Sequence, residues 1–216
     1  MDNNLDVTIL KTNNDADPIQ TLIDYINMHN DYTYIYISNN QHNTNRITLN
    51  TRLNCIESND KLNNLIDSDH DIIGSSDLYY KFKPTTNYAL MNSFAPYVLI
   101  IDDALDVMQK VDIASDDITL LCNIDVIRIG ENNVCTWIFE PSDYEGVFSN
   151  VKSMIDTCNV VLTGSGELWW RLDPELFKNY CFDKIIVCTN SFVGSTMETY
   201  FNQYGIKYHM TDTLDD

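Results

Sequence analysis

Lys184-Ile185-Ile186-Val187-Cys188-Thr189-Asn190, then Ser195-Thr196-Met197-Glu198, then Gly205 ahead of Ile206-Lys207-Tyr208-His209-Met210, is the stretch whose reading decides the fold. The first run is β-branched and apolar, as a buried strand is. Ser195 with Glu198 is a capping box that opens a helix, and Gly205 is a natural helix stop. Ile206–Met210 reads as the next strand. Working outward, Asp173-Pro174 starts a helix with Leu176, Phe177 and Tyr180 on its inner face, and Asn159–Thr163 is strand-like. Before it, Ser142 and Glu145 form another capping box, with Tyr144, Val147, Phe148, Val151, Met154 and Ile155 as an apolar helical stripe. From Val134 to Met210 the chain thus alternates strand and helix, the pattern of β-α-β units.

Upstream, Tyr97–Ile101 reads as a buried strand running into Asp102-Asp103 and a short helix, Ala104–Val111. Ile118–Cys122 and Asp125–Ile129 look like strands, the latter joined to Val134–Phe139 by the turn Gly130–Asn133. In the N-terminal half, Leu5–Leu10 and Thr33–Ser38 read as strands. Asp17-Pro18 starts a helix with Ile19, Leu22, Ile23 and Ile26 on one face. Asn39–Asn45 reads as a loop, Arg46–Leu53 as a strand and Lys61–Ile66 as a short helix. Asp71–Ile73 and Leu78–Phe82 read as strands, and Pro84–Asn87 as a connection. The expected fold is α/β: a mostly parallel twisted sheet with helices on both faces, and a mixed or antiparallel N-terminal portion. A division into residues 1–95 and 96–216 and a single compact domain fit the pattern equally well.

The 216 residues carry 13 Lys+Arg against 32 Asp+Glu, a formal net charge of -19. Binding to nucleic acid or to anionic membranes requires clustered cations, so both are disfavoured as direct partners. Another protein, a basic one in particular, is the expected partner. The six cysteines show no C-x-x-C pair, and four lie in or beside apolar runs (Cys122, Cys135, Cys181, Cys188), as reduced buried thiols do. The start of the chain has no signal-peptide pattern and no apolar run is long enough to span a bilayer, so an intracellular setting is expected, cytoplasmic or inside a host cell. The richness in Asn, Ile and Tyr, residues with AT-rich codons, fits an AT-rich genome such as a virus or phage.

Ligands of open parallel sheets gather beyond the carboxyl ends of the strands. Gly164-Ser165-Gly166, Asn190, Ser195 and Thr196 are the candidate ligand-binding residues there, as a glycine turn and a helix start that favour an anion. Asp102, Asp103 and Glu140 are the candidate Mg²⁺ ligands, since hard cations take clustered carboxylates. Gly-Ser-Gly is equally an ordinary turn, and the two aspartates are equally solvated helix caps. Trp169-Trp170-Arg171 is the candidate interface, because two adjacent tryptophans cannot both face one core and Trp and Arg anchor interfaces. Tyr32, Tyr34 and Tyr36 alternate on one strand face. They form a contact surface if the strand is an edge and core if it is central.

Val98–Asp103 is similar to the Walker B strand of P-loop ATPases, a resemblance that implies Mg²⁺ held through water by the acidic pair. The chain contains no G-x-x-x-x-G-K-[ST] to cradle a triphosphate. Ile-Asp-Asp also resembles the acidic pocket of response-regulator receivers, whose lysine after the last core strand is here Asn190. No G-x-S-x-G elbow or Cys-His nucleophile arrangement is present, and the four histidines are scattered. The sequence favours a non-enzymatic protein acting by protein binding or assembly. A nucleotide- or phosphate-binding protein or Mg²⁺-dependent phosphoryl-transfer enzyme is the alternative, and an acidic mimic of nucleic acid that acts as an inhibitor is the third.

Overall fold

The computed structural model describes residues 7–11, 17–51, 54–55, 62–82, 84–103, 106–139, 144–178 and 181–214. Seven parallel strands make the main sheet: β1 (Val7–Leu10), β2 (Thr33–Ser38), β3 (Asn54–Cys55), β4 (Ile72–Gly74), β5 (Tyr97–Asp102), β11 (Lys184–Cys188) and β12 (Tyr208–Thr211). Their spatial order is β12-β1-β11-β5-β2-β4-β3, so the sheet draws strands from both sides of residue 95. The central strands are continuous runs of Ile, Val, Leu and Tyr because both faces are covered.

One face carries α1 (Pro18–Met28) and α2 (Gln41–Asn50), whose Ile19, Leu22, Ile23, Ile26 and Ile47 pack on Tyr34, Tyr36, Val98, Ile100 and Ile186. The other face is larger. Alternate residues Ile35, Ile37, Leu99, Ile101, Ile185 and Val187 meet Leu62 and Ile66 of α3 (Leu62–Asp67), Leu90 of α4 (Pro84–Asn92) and Met197, Tyr200 and Phe201 of α7 (Thr196–Tyr204). α/β layering with helices on both faces is therefore what the sequence implied. Asp17 caps α1 with Pro18 at its first position, and Gly205 closes α7 with φ of +64°.

The antiparallel strands fall elsewhere than expected. Among the described residues the N-terminal strands are all parallel, and the antiparallel ones lie between β5 and β11. There β6 (Met108–Lys110), β9 (Val160–Leu162) and β10 (Leu168–Arg171) form a three-stranded sheet in the order β6-β10-β9. Beside it β7 (Ile127–Ile129) and β8 (Cys135–Trp137) make the expected hairpin. This part also holds α5 (Ser115–Asn123) and α6 (Ser149–Ile155), whose Ile118, Leu121, Val151 and Ile155 join the larger core.

Several local expectations are corrected. Residues 41–50 are helix rather than a loop and a strand, because Asn40 accepts hydrogen bonds from the His42 and Asn43 N–H groups and Ile47 anchors the turn above. Ile118–Cys122 is helical, with Ile118 and Leu121 buried one turn apart and Asp116 and Asp117 in the first turn. Ser76–Lys81 is a 3-10 helix capped by Ser75, and Pro84 opens α4 instead of a connection. Met108–Lys110 is a strand where a helix was expected. The Ser142 cap lies outside the described residues, and the helix that follows begins at Ser149.

Candidate functional site

Strand register builds a polar cluster at the carboxyl edge of the main sheet. Ser38 of β2 pairs directly with Asp102 of β5, and Tyr36 pairs with Ile100 one step back. Side chains two apart share a face, so Tyr36, Ser38 and Asp102 all point toward α2, which lowers Asn43 onto them. Asp102 Oδ2 accepts hydrogen bonds from the Tyr36 hydroxyl at 2.7 Å, the Ser38 hydroxyl at 2.7 Å and the Asn43 amide at 2.9 Å. Asp102 is only 9% exposed. Burial, with the carboxylate beside it, pushes the Tyr36 hydroxyl far above the ordinary tyrosine range. β2 is central, so Tyr34 and Tyr36 are core.

A cleft of about 220 Å³ opens outside this cluster, lined among others by Pro18, Asn40, Asp102, Asp103, Thr189 and Asn190. Asp103 is exposed and holds φ of +81°, a left-handed conformation that costs a non-glycine residue energy. Two bonds fix it there: its N–H donates to the Cys188 carbonyl at 2.7 Å, and Thr189 Oγ1 donates to its Oδ1 at 3.1 Å.

The starts of α1 and α2 beside the cleft are both satisfied by the chain itself, that of α2 by the Asn40 cap. Asp17 Oδ1 accepts from the Ile19 and Gln20 N–H groups, and Pro18 has no N–H to offer. Arg46 of α2 grips the same carboxylate through two bonds, at 3.0 and 2.7 Å, and holds the Asp17 carboxyl below the usual carboxylate range. A depressed carboxylate stabilises the fold above its unfolded pKa, and that contribution is lost as pH falls through its folded pKa. Arg46→Ala is accordingly expected to lower the thermal midpoint slightly at neutral pH, because the pair is exposed and water-screened. The gap from wild type should close as acid protonates Asp17, which paired melts across the acid range will show.

The structure separates the other candidates. Gly164-Ser165-Gly166 is the tip of the β9–β10 hairpin on the antiparallel sheet, not a strand-to-helix turn of the main one. Gly166 supplies φ of +78°, and Thr163 bonds back to Ser165 and Glu167. Ser195 accepts from the Glu198 N–H while Glu198 accepts from the Gly194 N–H, so the start of α7 is also closed. Thr196 donates to Asp106 at 2.9 Å. Glu140 lies outside the described residues, and among those described no group of three or more His, Cys, Asp or Glu comes together to hold a metal ion. Burial pushes the Cys135 thiol up to about 12 and Cys188 well above the usual range, leaving both protonated and poor nucleophiles.

Trp169-Trp170-Arg171 is a strand rather than a loop or helix start, so the two rings take opposite faces. Trp170 is buried, with its ring 4.4 Å from that of Tyr80 and its indole N–H donating to Thr157 Oγ1 at 3.1 Å. Trp169 is half-buried and reaches Glu167, and Arg171 lies 4.6 Å from the Tyr204 ring. Sequence reasoning found Asp102 and missed the residues that hold it. The available signal was Tyr36-x-Ser38 at the end of a central strand, two polar groups on one face.

With that geometry in place, comparison with known proteins gives several likenesses. Residues 108–170, nearly the whole antiparallel part, match the YonV middle domain. The chain is similar to the SPbeta prophage-derived uncharacterized protein YonV of Bacillus subtilis (strain 168), with 24% identity over 162 residues. That match takes in 73% of this chain and 38% of the relative's length. A solved structure, S. tokodaii Xpd4, matches 87% of this chain and 53% of its own at 12% identity, with a TM-score of 0.40. No described helix is long and apolar enough to cross a membrane.

Proposed function

We propose that this chain is a non-catalytic α/β binding protein that docks a basic protein partner through its acidic surface. The observation that carries the reading is the state of Asp102. At the sheet edge where a ligand or Mg²⁺ would engage, its Oδ2 already accepts from three donors of the chain itself. A cation engaging that oxygen would have to compete with all three. The starts of α1 and α7 are likewise closed by their own caps, and among the described residues no glycine lines the cleft. A net charge of -19 supplies long-range attraction for a cationic surface. Trp169, half-buried on the antiparallel sheet, remains a candidate contact, whereas Trp170 belongs to the core. The likeness to a prophage-derived protein fits a role inside a bacterial cell.

One observation favours the Mg²⁺-nucleotide reading instead. Asp103 is held strained and exposed at the cleft mouth beside Thr189 and Asn190. A single pair of measurements separates the two. Binding of the basic partner should weaken steeply between about 0.1 M and about 1 M salt, as the Debye length falls from about 10 to about 3 Å. Thermal melts with Mg²⁺ and ATP should stay flat. A saturable rise in midpoint that Asp103→Ala removes would overturn the binding reading. Competition for the partner by DNA would mark the acidic surface as a mimic of nucleic acid.

A further inference from the structure

A second cleft, of about 340 Å³, lies where the carboxyl edge of the main sheet meets the antiparallel sheet. Its lining includes Asn39, Tyr79, Tyr80, Asp106, Gln109 and Trp170. Tyr80 supplies an aromatic wall, backed by the buried Trp170 with the two rings 41° apart in tilt. The polar lining is rich in acceptors. Asp106 Oδ1 takes one bond from Thr196, and among the described residues nothing donates to its Oδ2. Gln109 Oε1 accepts from the Tyr80 hydroxyl at 2.9 Å and keeps a second lone pair. Tyr79 is 1% exposed, and its hydroxyl has no partner among the described residues.

Among the described residues, Asp106 is the one charged side chain that lines the cleft. No Lys, Arg or His among the described residues lines it, and burial together with Asp77 and Asp106 raises the Tyr80 hydroxyl above its ordinary range. A phosphate-bearing ligand would be repelled. A planar cation that donates several hydrogen bonds and stacks on aromatic rings is the complementary group, and guanidinium has that chemistry where ammonium does not.

We infer that this cleft binds the guanidinium of an arginine side chain presented by the protein partner. The inference rests on the proposed binding function and names the group that the acidic surface recognises. Asp106 acts as counter-ion, Gln109 accepts an N–H group, and Tyr80, backed by the buried Trp170, forms the stacking wall.

The test is a titration of the whole chain with N-acetyl-arginine amide, followed by tryptophan fluorescence and by NMR. The citrulline amide (same shape, no charge) and the lysine amide serve as controls. Saturable binding of the arginine compound is expected, with citrulline weaker by about tenfold or more, as loss of a charge-assisted bond predicts. Asp106→Asn should weaken arginine binding to a similar degree. Tyr79→Phe should leave both the fold and arginine binding unchanged, since its hydroxyl is sealed from solvent and has no partner among the described residues to lose. Equal binding of arginine and citrulline, or an unchanged affinity in Asp106→Asn, would overturn the inference. Binding of a nucleoside such as adenosine in place of arginine would also overturn it, marking a nucleobase pocket. Salt-sensitive partner binding that survives Asp106→Asn would sink this inference and leave the proposed function standing. Arginine binding without any salt-sensitive partner would do the reverse.

Discussion

Trp170→Ala is expected to cost roughly 3–5 kcal/mol of stability, the range for truncating a large aromatic in a core. For a chain of this size that is a fall in thermal midpoint of roughly 6–20 °C. The argument starts from the strand. In β10 neighbouring residues face opposite ways, so Trp170 turns into the larger core while Trp169 turns out. The indole is almost wholly buried, rests against Tyr80 and donates to Thr157. Alanine would leave a cavity where the antiparallel sheet meets the residues before α4. Trp170→Phe keeps most of the packing and loses the indole bond, so it should fall in between. Trp169→Ala should cost about 1 kcal/mol or less, as substitutions outside the core do. Urea melts of the three variants measure the order directly. If Trp169→Ala proves the more damaging, the register of β10 is shifted by one residue, and Trp170 would return as the exposed contact.

The fold was legible wherever local signals agreed with tertiary demand. Asp17-Pro18 before an apolar stripe is α1, Ser195 to Gly205 brackets α7, and the Val/Ile runs 97–101 and 184–188 are central parallel strands. Legibility failed where polar residues carry an element. α2 has few apolar residues and was misread as loop and strand, because its stability comes from the Asn40 cap, the Arg46 pair with Asp17 and one anchor, Ile47. In α5 the run Ile118–Cys122 has β-branched and apolar content, and only the packing of Ile118 and Leu121 selects helix. Antiparallel strands as short as Met108–Lys110 carry too little pattern to declare themselves. The site was half legible for a related reason. Asp102 ends an obvious strand, whereas Tyr36 and Ser38 lie 66 and 64 residues away and reach it only through parallel register. No spacing rule along the chain reports a contact made across a sheet.

Asp102→Ala should be as damaging as any core truncation, at roughly 3–5 kcal/mol, the cost of removing one partner from a buried charged network. The substitution removes little volume. Its effect comes from what it strands: the Tyr36 hydroxyl, the Ser38 hydroxyl and the Asn43 amide all lose their acceptor, in a place where Tyr36 and Ser38 have almost no access to water. Each stranded donor carries its own desolvation penalty of about 1–3 kcal/mol. Ser38 also receives the Asn40 N–H, so the loss should spread to the start of α2. Asp102→Asn keeps one carbonyl oxygen for the three donors and gives up the charge, so it should cost distinctly less. Tyr36→Phe removes one donor and leaves the carboxylate two, and should be the mildest of the three. That order, read from denaturant midpoints, is the signature of a carboxylate spent on holding β2, β5 and α2 together. If Asp102→Ala instead melts with wild type, its carboxylate is not committed to these donors. It would then be available to a cation or nucleotide at the sheet edge, and the binding reading would lose the observation that carries it.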